Sequence, residues 1–481
     1  MGTDFSVTET EVQHEEGTIE TKVPARLDRL PWSKWHWMII IGLGTVWILD
    51  GLEVTIIGSI GDRLTESGSG ISLDASQIGS AAAFYVAGAC VGALFFGQLT
   101  DRFGRKKLFL ITLGVYIVAT MATGLAFTPA YFFACRFVTG MGIGGEYAAI
   151  NSAIDELIPA RLRGRVDLTI NGSYWVGASF GALLTVPLLN TSIFAEDFGW
   201  RLSFLIGAVL GVGILIVRRH VPESPRWLFI HGKNDEAEQI VGEIEEDVEK
   251  DTGEKLSEVS DDEKLTIHQR ATIPFREIAA VAFKKYPKRT ILGLSLFVGQ
   301  AFLYNAVTFD LGTILGEFFN VGSGQVPLYI AVFGASNFLG PLTLGRLFDT
   351  VGRKIMISLC YLTSAGLTAV LGIVLLLTTP STLVFMAFVL AIFFFASSGA
   401  SAAYLTVSEI FPMESRALSI AFFYAVGTGL GGIAEIFFGV NAEGKTLESI
   451  AAPLSAAKQR ISKRKTGSGA GSGSEPPAAI V

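Results

Sequence analysis

Long apolar runs alternate with short polar connectors from Trp37 to Val440, and this alternation dominates the chain. The runs lie at about 37–58, 78–99, 108–127, 131–154, 168–190 and 202–218. They resume at about 289–311, 326–348, 355–379, 382–407 and 416–440. Each is near the roughly 20 residues with which a helix crosses a bilayer. None shows the strict alternation of a half-buried strand. Only helices and closed barrels satisfy every backbone polar group in lipid, so these runs predict membrane helices. The expectation is an all-α polytopic membrane protein with eleven spans.

The connectors divide the chain into five stretches. Residues 1–35 are expected to be a disordered N-terminus closed by an interfacial belt of Trp32, Trp35 and Trp37 with Lys34 and His36. Residues 36–218 hold six spans, 219–288 a polar insertion and 289–440 five spans. Residues 441–481 are a basic, then Gly/Ser-rich, flexible tail. In the insertion, Asn234 to Lys250 sets Ala237, Ile240, Val241, Ile244 and Val248 on one face, the pattern of an amphipathic helix.

Composition narrows the function. Half of the 481 residues are hydrophobic, 17% are charged and mean hydropathy is +0.49. The net charge of −7 comes from the insertion, where Asp235 to Glu263 holds 14 acids against two lysines, and gives no sign of a nucleic-acid partner. Cys90, Cys135 and Cys360 lie in apolar runs without metal or redox spacing. All five histidines fall in polar or interfacial segments, and there is no nucleophile–base constellation or phosphate-binding loop. An enzyme, a cofactor and a bound metal are therefore not expected. No cleavable leader precedes the first apolar run, which is read as a retained helix.

Two patterns recur. Gly97-Gln98-Leu99-Thr100-Asp101-Arg102-Phe103-Gly104-Arg105-Lys106-Lys107 returns 248 residues later as Gly345-Arg346-Leu347-Phe348-Asp349-Thr350-Val351-Gly352-Arg353-Lys354. Glu156-Leu157-Ile158-Pro159 with Arg163 returns as Glu409-Ile410-Phe411-Pro412 with Arg416. The chain is thus two similar halves. Basic residues occupy alternate loops, so these loops, the N-terminus and the insertion are expected to be cytoplasmic. Carboxylates at helix ends beside basic connectors would form a cytoplasmic latch. Its expected members are Asp101, Arg102, Arg105, Glu156, Arg163, Glu223, Arg226, Asp349, Arg353, Glu409 and Arg416. A span beginning in the cytoplasm at Arg416 leaves the tail outside. The basic residues Lys458, Arg460, Lys463, Arg464 and Lys465 favour the opposite side, so a twelfth helix is expected to be missing between about Gly432 and Glu443.

With Pro222-Glu223-Ser224-Pro225-Arg226-Trp227-Leu228 after the sixth run and Gly444-Lys445-Thr446-Leu447-Glu448-Ser449-Ile450 near the end, the chain resembles the major facilitator superfamily. It is most similar to the sugar porters and metabolite–proton symporters over about 37–450. The resemblance implies two pseudo-symmetric bundles, a solute site between them at the midplane and alternating access. It also implies a small-molecule solute and protons as partners, a monomer, and a plasma (inner) membrane location. The best-supported function is proton-coupled import of a small polar solute, sugar-like or an organic acid. A facilitator, an exporter, or a transport-dead truncated protein or sensor are the alternatives.

Intramembrane charges are costly and mark function. Asp50 and Glu53 lie three residues apart in the first run, and Arg136 lies in the fourth. In proton-coupled relatives an acid of the first helix pairs with an arginine at the position of Arg136. The resemblance sets Glu53 there and keeps Asp50 as a second candidate. Glu146, in the same run as Arg136, is a cavity residue or a more distant charge partner. The family's solute-binding positions correspond to Asn171, Gln300, Asn305 and Tyr404. Glycine and leucine at 299 and 303 depart from the sugar-porter pattern, so a hexose does not follow.

Overall fold

The apolar runs fold as helices, and the computed structural model shows what starts and stops them. It describes residues 18–218, 221–268, 281–308, 311–322, 325–411 and 416–438. A strand, β1 (Thr18–Thr21), and a short helix, α1 (Val23–Asp28), precede the first span. Then come α2 (Lys34–Thr65), α3 (Ala75–Phe103), α4 (Arg105–Gly124) and α5 (Pro129–Leu157). The next run is split into α6 (Arg163–Gly172) and α7 (Tyr174–Leu188), and α8 (Gly199–Arg218) completes the half. The insertion contributes α9 (Pro225–Ile230), α10 (Asn234–Thr252) and strand β2 (Leu265–His268). The second half holds α11 (Pro287–Thr308), α12 (Leu311–Phe319), α13 (Val326–Thr350), α14 (Arg353–Leu377), α15 (Thr382–Ile410) and α16 (Arg416–Phe438).

Capping residues fix several of these starts. Asp74 accepts the Gln77 amide at 2.7 Å while the Gln77 side chain accepts the Asp74 amide, a reciprocal cap that opens α3. Thr128 with Pro129 opens α5, and Ser381 opens α15. The repeated connectors share one turn. Gly104 and Gly352, at the offset of the repeat, have φ of +100° and +107°, a region that favours glycine.

Seven helices among the described residues are long and apolar enough to cross a membrane: α2, α3, α4, α8, α13, α14 and α15. The other four predicted runs coincide with α5, with α6 and α7, with α11 and α12, and with α16. The expected single span over 168–190 is broken at Ser173, whose hydroxyl donates to the Gly44 carbonyl of α2 and to Ile170. Large apolar side chains stand exposed on the outer helices, Leu362, Leu376 and Leu383 among them, as a lipid-facing surface requires.

Inside the bundle the helices meet backbone to backbone. A Cβ on Gly51 or Gly177 would lie within 2 Å of a carbonyl oxygen on the facing helix, so α2 and α7 close on glycine. The halves touch where Ser179 of α7 donates to the Ala331 carbonyl of α13, and where Cys90 of α3 reaches the Ala425 carbonyl of α16. Residues 1–433 form one compact unit; in the second, 434–481, the described part is the end of α16.

The expectation of disorder through residues 18–30 is corrected. β1 pairs antiparallel with β2, and α1 buries Val23 and Leu27. Arg26 and Arg29 each reach Glu245 of α10 at 2.5 Å, and Lys22 reaches Asp261. Six helical residues are too few for a periodic signal; partners 216 residues away supply the order. Residues 1–17 and the tail from 439 lie outside the described residues; of the stretch where a twelfth helix is expected to be missing, 432–438 continue α16 and the rest is outside them. The amphipathic helix of the insertion is found as α10, with Ala237, Val241, Ile244 and Val248 buried.

Burial pushes the Glu245 carboxyl up, but hydrogen bonds from Arg26 and Arg29 outweigh it and hold it below the usual carboxylate range. A carboxyl lowered by docking stabilises the docked state above its undocked pKa of about 4.3, and that gain fades as pH falls through the lowered value. Glu245→Gln is therefore expected to speed backbone hydrogen exchange across residues 18–30 at neutral pH. Wild type and variant should converge once pH falls below the lowered value; equal exchange at neutral pH would contradict the assignment.

Candidate functional site

The deepest charges lie where α2, α4 and α5 converge. Asp50 and Glu53, one helical turn apart on α2, are both buried. Glu53 Oε1 meets Arg136 Nη1 of α5 at 2.5 Å. From α4, the Tyr116 hydroxyl donates to Glu53 Oε2 at 3.0 Å and the Thr120 hydroxyl at 3.1 Å. The Arg136 guanidinium also lies 4.5 Å from the Tyr85 ring of α3. Glu53 is fully enclosed and Arg136 is 1% exposed, so neither charge has water to fall back on. Asp50 lies beside Tyr147 of α5.

Beside this cluster is a cavity of about 200 Å³ between the halves. Its first-half wall carries Trp47, Tyr85, Tyr147, Tyr174 and Trp175; its second-half wall carries Tyr304, Tyr404 and Tyr424. The rings interlock across the seam. Trp47 stacks on Tyr147 at 4.6 Å and meets Tyr404 edge-on at 5.6 Å, while Trp175 lies 5.3 Å from Tyr304. Asn171, Gln300, Ser397 and Ser401 add polar groups, and no lysine, arginine or histidine is among the described lining residues. The Trp47 indole N–H and the Tyr85 hydroxyl have no hydrogen-bond partner. Such a site can clasp a flat ring and offer neutral donors to its oxygens.

A third cluster covers the face that carries the basic loops. Arg105 Nη2 pairs with Glu156 Oε1 at 3.0 Å, and the Ser224 hydroxyl donates to the other oxygen of Glu156. Glu223 accepts the backbone amides of Arg105 and Lys106 at 2.9 and 3.1 Å, against the helix start that Gly104 leaves open. In the second half, Arg353 donates Nε and Nη2 to the Glu409 carboxylate at 3.1 and 3.0 Å. Asp349 pairs with Arg353 at 3.1 Å and crosses to the first half, accepting the amides of Gly164 and Arg165 at 3.0 and 2.8 Å.

A family profile described as "Sugar (and other) transporter" matches residues 32–446. The chain belongs to that family. Among its relatives is the niacin transporter NiaP of Acinetobacter baylyi, 26% identical over 85% of this chain and 88% of the relative. The 4-hydroxybenzoate transporter PcaK of Pseudomonas aeruginosa is 24% identical over 84% of this chain and 86% of its own. The solved structure of the proton:xylose symporter XylE, a major facilitator protein, superposes with a TM-score of 0.65 at 19% identity. It covers 87% of this chain and 98% of that one. The protein is thus a multi-pass membrane transporter of the major facilitator fold, built of two pseudo-symmetric helix bundles, and not an enzyme.

In this transporter Glu53 and Arg136 meet directly, with Asp50 beside them. Asn171, Gln300 and Tyr404 line one cavity, although the Asn171 amide nitrogen is already committed to Asn151 and to the Asp167 carbonyl. Glu156, Arg105 and Glu223 form one group at the basic-loop face, and Asp349, Arg353 and Glu409 another. Arg163 and Arg226 reach Asp28 of α1, at 3.7 and 3.6 Å. The expectation that Arg102 joins the latch is corrected: its side chain is exposed over the Phe103 ring, because Gly104 turns the chain and puts Arg105 inward. The side chains of Asp101, Asn305 and Arg416 lie outside the described residues. Glu146 neither lines the cavity nor pairs with Arg136.

Apart from Tyr404, sequence reasoning missed the aromatic walls, and it missed the donors Tyr116 and Thr120. Trp47 carried a usable signal, since it precedes Asp50 by three residues and so shares its helical face. Removing one member of a buried pair leaves the other charge uncompensated, at a cost of roughly 3–5 kcal/mol. Arg136→Met is expected to lower the melting temperature in detergent more than the double variant Glu53→Gln/Arg136→Met does. Equal losses in the two proteins would show that the pair does not govern stability here.

Proposed function

We propose that this transporter imports a small aromatic acid together with a proton, with Glu53 as the proton carrier and Asp50 beside it. The carrying observation is the enclosed Glu53–Arg136 pair next to a cavity of aromatic faces. Protonating Glu53 dissolves the pair and frees Arg136, so proton occupancy is tied to the packing of α2 on α4 and α5. A cavity with neutral donors and no cationic lining residue recognises a ring and its oxygens without trapping the cargo's charge. The niacin and 4-hydroxybenzoate specificities of the two relatives agree with this reading. Asn171, Gln300, Asn305 and Tyr404 are the proposed polar contacts.

The basic loops, the N-terminus and the insertion face the cytoplasm of the plasma (inner) membrane in this reading. Residues 36–218 and 289–440 then act as the two rocking bodies, with 219–288 as the cytoplasmic insertion. The pairs Arg105–Glu156 and Arg353–Glu409, with Asp349 at the start of α6, hold the cytoplasmic side shut and separate when it opens. One protomer contains every group involved.

Proteoliposomes with an alkaline lumen give the test, using labelled 4-hydroxybenzoate, nicotinate and xylose against protein-free vesicles. A one-to-one symporter accumulates its cargo about tenfold per unit of pH gradient, since each 1.4 kcal/mol is a factor of ten. An aromatic acid should accumulate above the protein-free level, and Glu53→Gln should abolish that excess. Accumulation of xylose alone would overturn the cargo class, and accumulation unaffected by Glu53→Gln would overturn the proton carrier.

A further inference from the structure

Proton coupling through Glu53 and Asp50 leaves a further buried carboxylate in the same half, Glu146, without a task. Glu146 lies on α5 ten residues beyond Arg136, about 15 Å nearer the basic-loop face. It is 3% exposed, and its Oε1 has no hydrogen-bond partner. The charged groups facing it come from two other helices. Asp50 of α2 acts on it from the midplane side, and Arg218, at the end of α8, acts on it from the basic-loop side. From α3, Phe96 packs against the neighbouring Gly145 and brings no charge. From α4, Tyr116 lies against Gly142, and its hydroxyl is given to Glu53.

Arg218 is also buried and only partly engaged. Its Nε donates to the Gly42 carbonyl of α2 at 2.9 Å and its guanidinium lies over the Phe109 ring of α4, whereas Nη2 has no hydrogen-bond partner among the described residues. A second cavity, about 30 Å³, joins Arg218 to Arg105 and Ser224, and so to the Glu156 cluster at the basic-loop face. Titratable groups therefore descend in order: Glu53, Asp50, Glu146, Arg218, then Arg105 with Glu156. A purely structural carboxylate would close its hydrogen bonds as Glu53 does, whereas the Oε1 of Glu146 stays open between an acid and a cation.

We propose that Glu146 is the relay through which the proton passes from Asp50 toward the basic-loop face, with Arg218 as the cation that receives the Glu146 carboxylate. The step is a plain proton transfer. A water between them takes the proton of Asp50 and passes one of its own to Glu146, so an O–H bond breaks on Asp50 and one forms on Glu146, the water is unchanged and Asp50 is left as the carboxylate. The proton then leaves Glu146 for solvent when the ion pairs below it separate, and Arg218 faces the carboxylate left behind. One proton enters and one leaves, with no other reactant. The relay rests on the proton-coupling reading given above, but its first test does not require a cargo.

Infrared difference spectra of the full-length protein in lipid nanodiscs, recorded across a pH titration, read protonation of buried carboxyls directly. A carboxyl stretch that titrates in wild type should vanish in Glu146→Gln, persist in Glu53→Gln, and change its midpoint in Arg218→Met. If Glu146→Gln leaves every titrating band in place, Glu146 does not change protonation and the relay is wrong, whatever the protein carries. Transport then separates the relay from the coupling. Glu146→Gln should exchange labelled 4-hydroxybenzoate across vesicles at the wild-type rate, yet its accumulation under one unit of pH gradient should fall from about tenfold to about onefold. Glu146→Asp should restore part of it. Wild-type accumulation in Glu146→Gln would overturn the relay and leave the symport reading intact. Loss of exchange and accumulation alike in both variants would make Glu146 a structural residue. Wild type that exchanges but never accumulates would remove the coupling and the relay together.

Discussion

A glutamate and an arginine enclosed between three helices are tolerable only because they face each other. The Glu53–Arg136 pair, with hydroxyls from Tyr116 and Thr120, converts two isolated buried charges into one satisfied network. The pair also dictates how α2, α4 and α5 sit, because its geometry fails if any of them slides by a few ångströms. The close glycine contact that sets α2 against α7 allows the walls of the aromatic cavity to approach. In the proposed mechanism a change in the charge of Glu53 reaches the cavity through this packing.

The basic-loop face repeats this logic twice. Gly104 and Gly352 each turn one helix directly into the next, leaving the new helix's first amides free to meet a carboxylate. Glu223 takes that place against α4, while Glu409 reaches the Arg353 side chain at the start of α14. Asp349 does something neither of those does: it ends a helix of one half and receives the first amides of α6 in the other. The contact there is a carboxylate on two amides, which in the proposed mechanism breaks and reforms without repacking a core. The aromatic seam above is larger and less polar, so the two levels differ in how readily they part.

Much of this was legible in the sequence for physical reasons. Span-length apolar runs, two copies of a glycine-and-arginine connector and an acid on the first run with an arginine on the fourth each carry a local signature. Hydrophobic spacing from Ala237 to Val248 was enough to place the buried face of α10. The aromatic cavity was not legible, because its rings come from helices spread between Trp47 and Tyr424 and none of them shares a short motif. The ordered segment from Thr18 to Leu30 was hidden for a similar reason: its partners lie in the insertion. Arg102 and Arg105 look equivalent in one basic connector, and only the turn at Gly104 separates the exposed one from the buried one.

The most direct measurement is proton movement itself, followed with a pH electrode outside weakly buffered proteoliposomes when 4-hydroxybenzoate is added with no gradient imposed. The expected result is a transient alkalinisation of the medium as acid anion and proton enter together, absent in Glu53→Gln. Entry of the labelled solute without alkalinisation, or alkalinisation that survives in Glu53→Gln, would contradict the coupling of proton and solute through the Glu53–Arg136 pair.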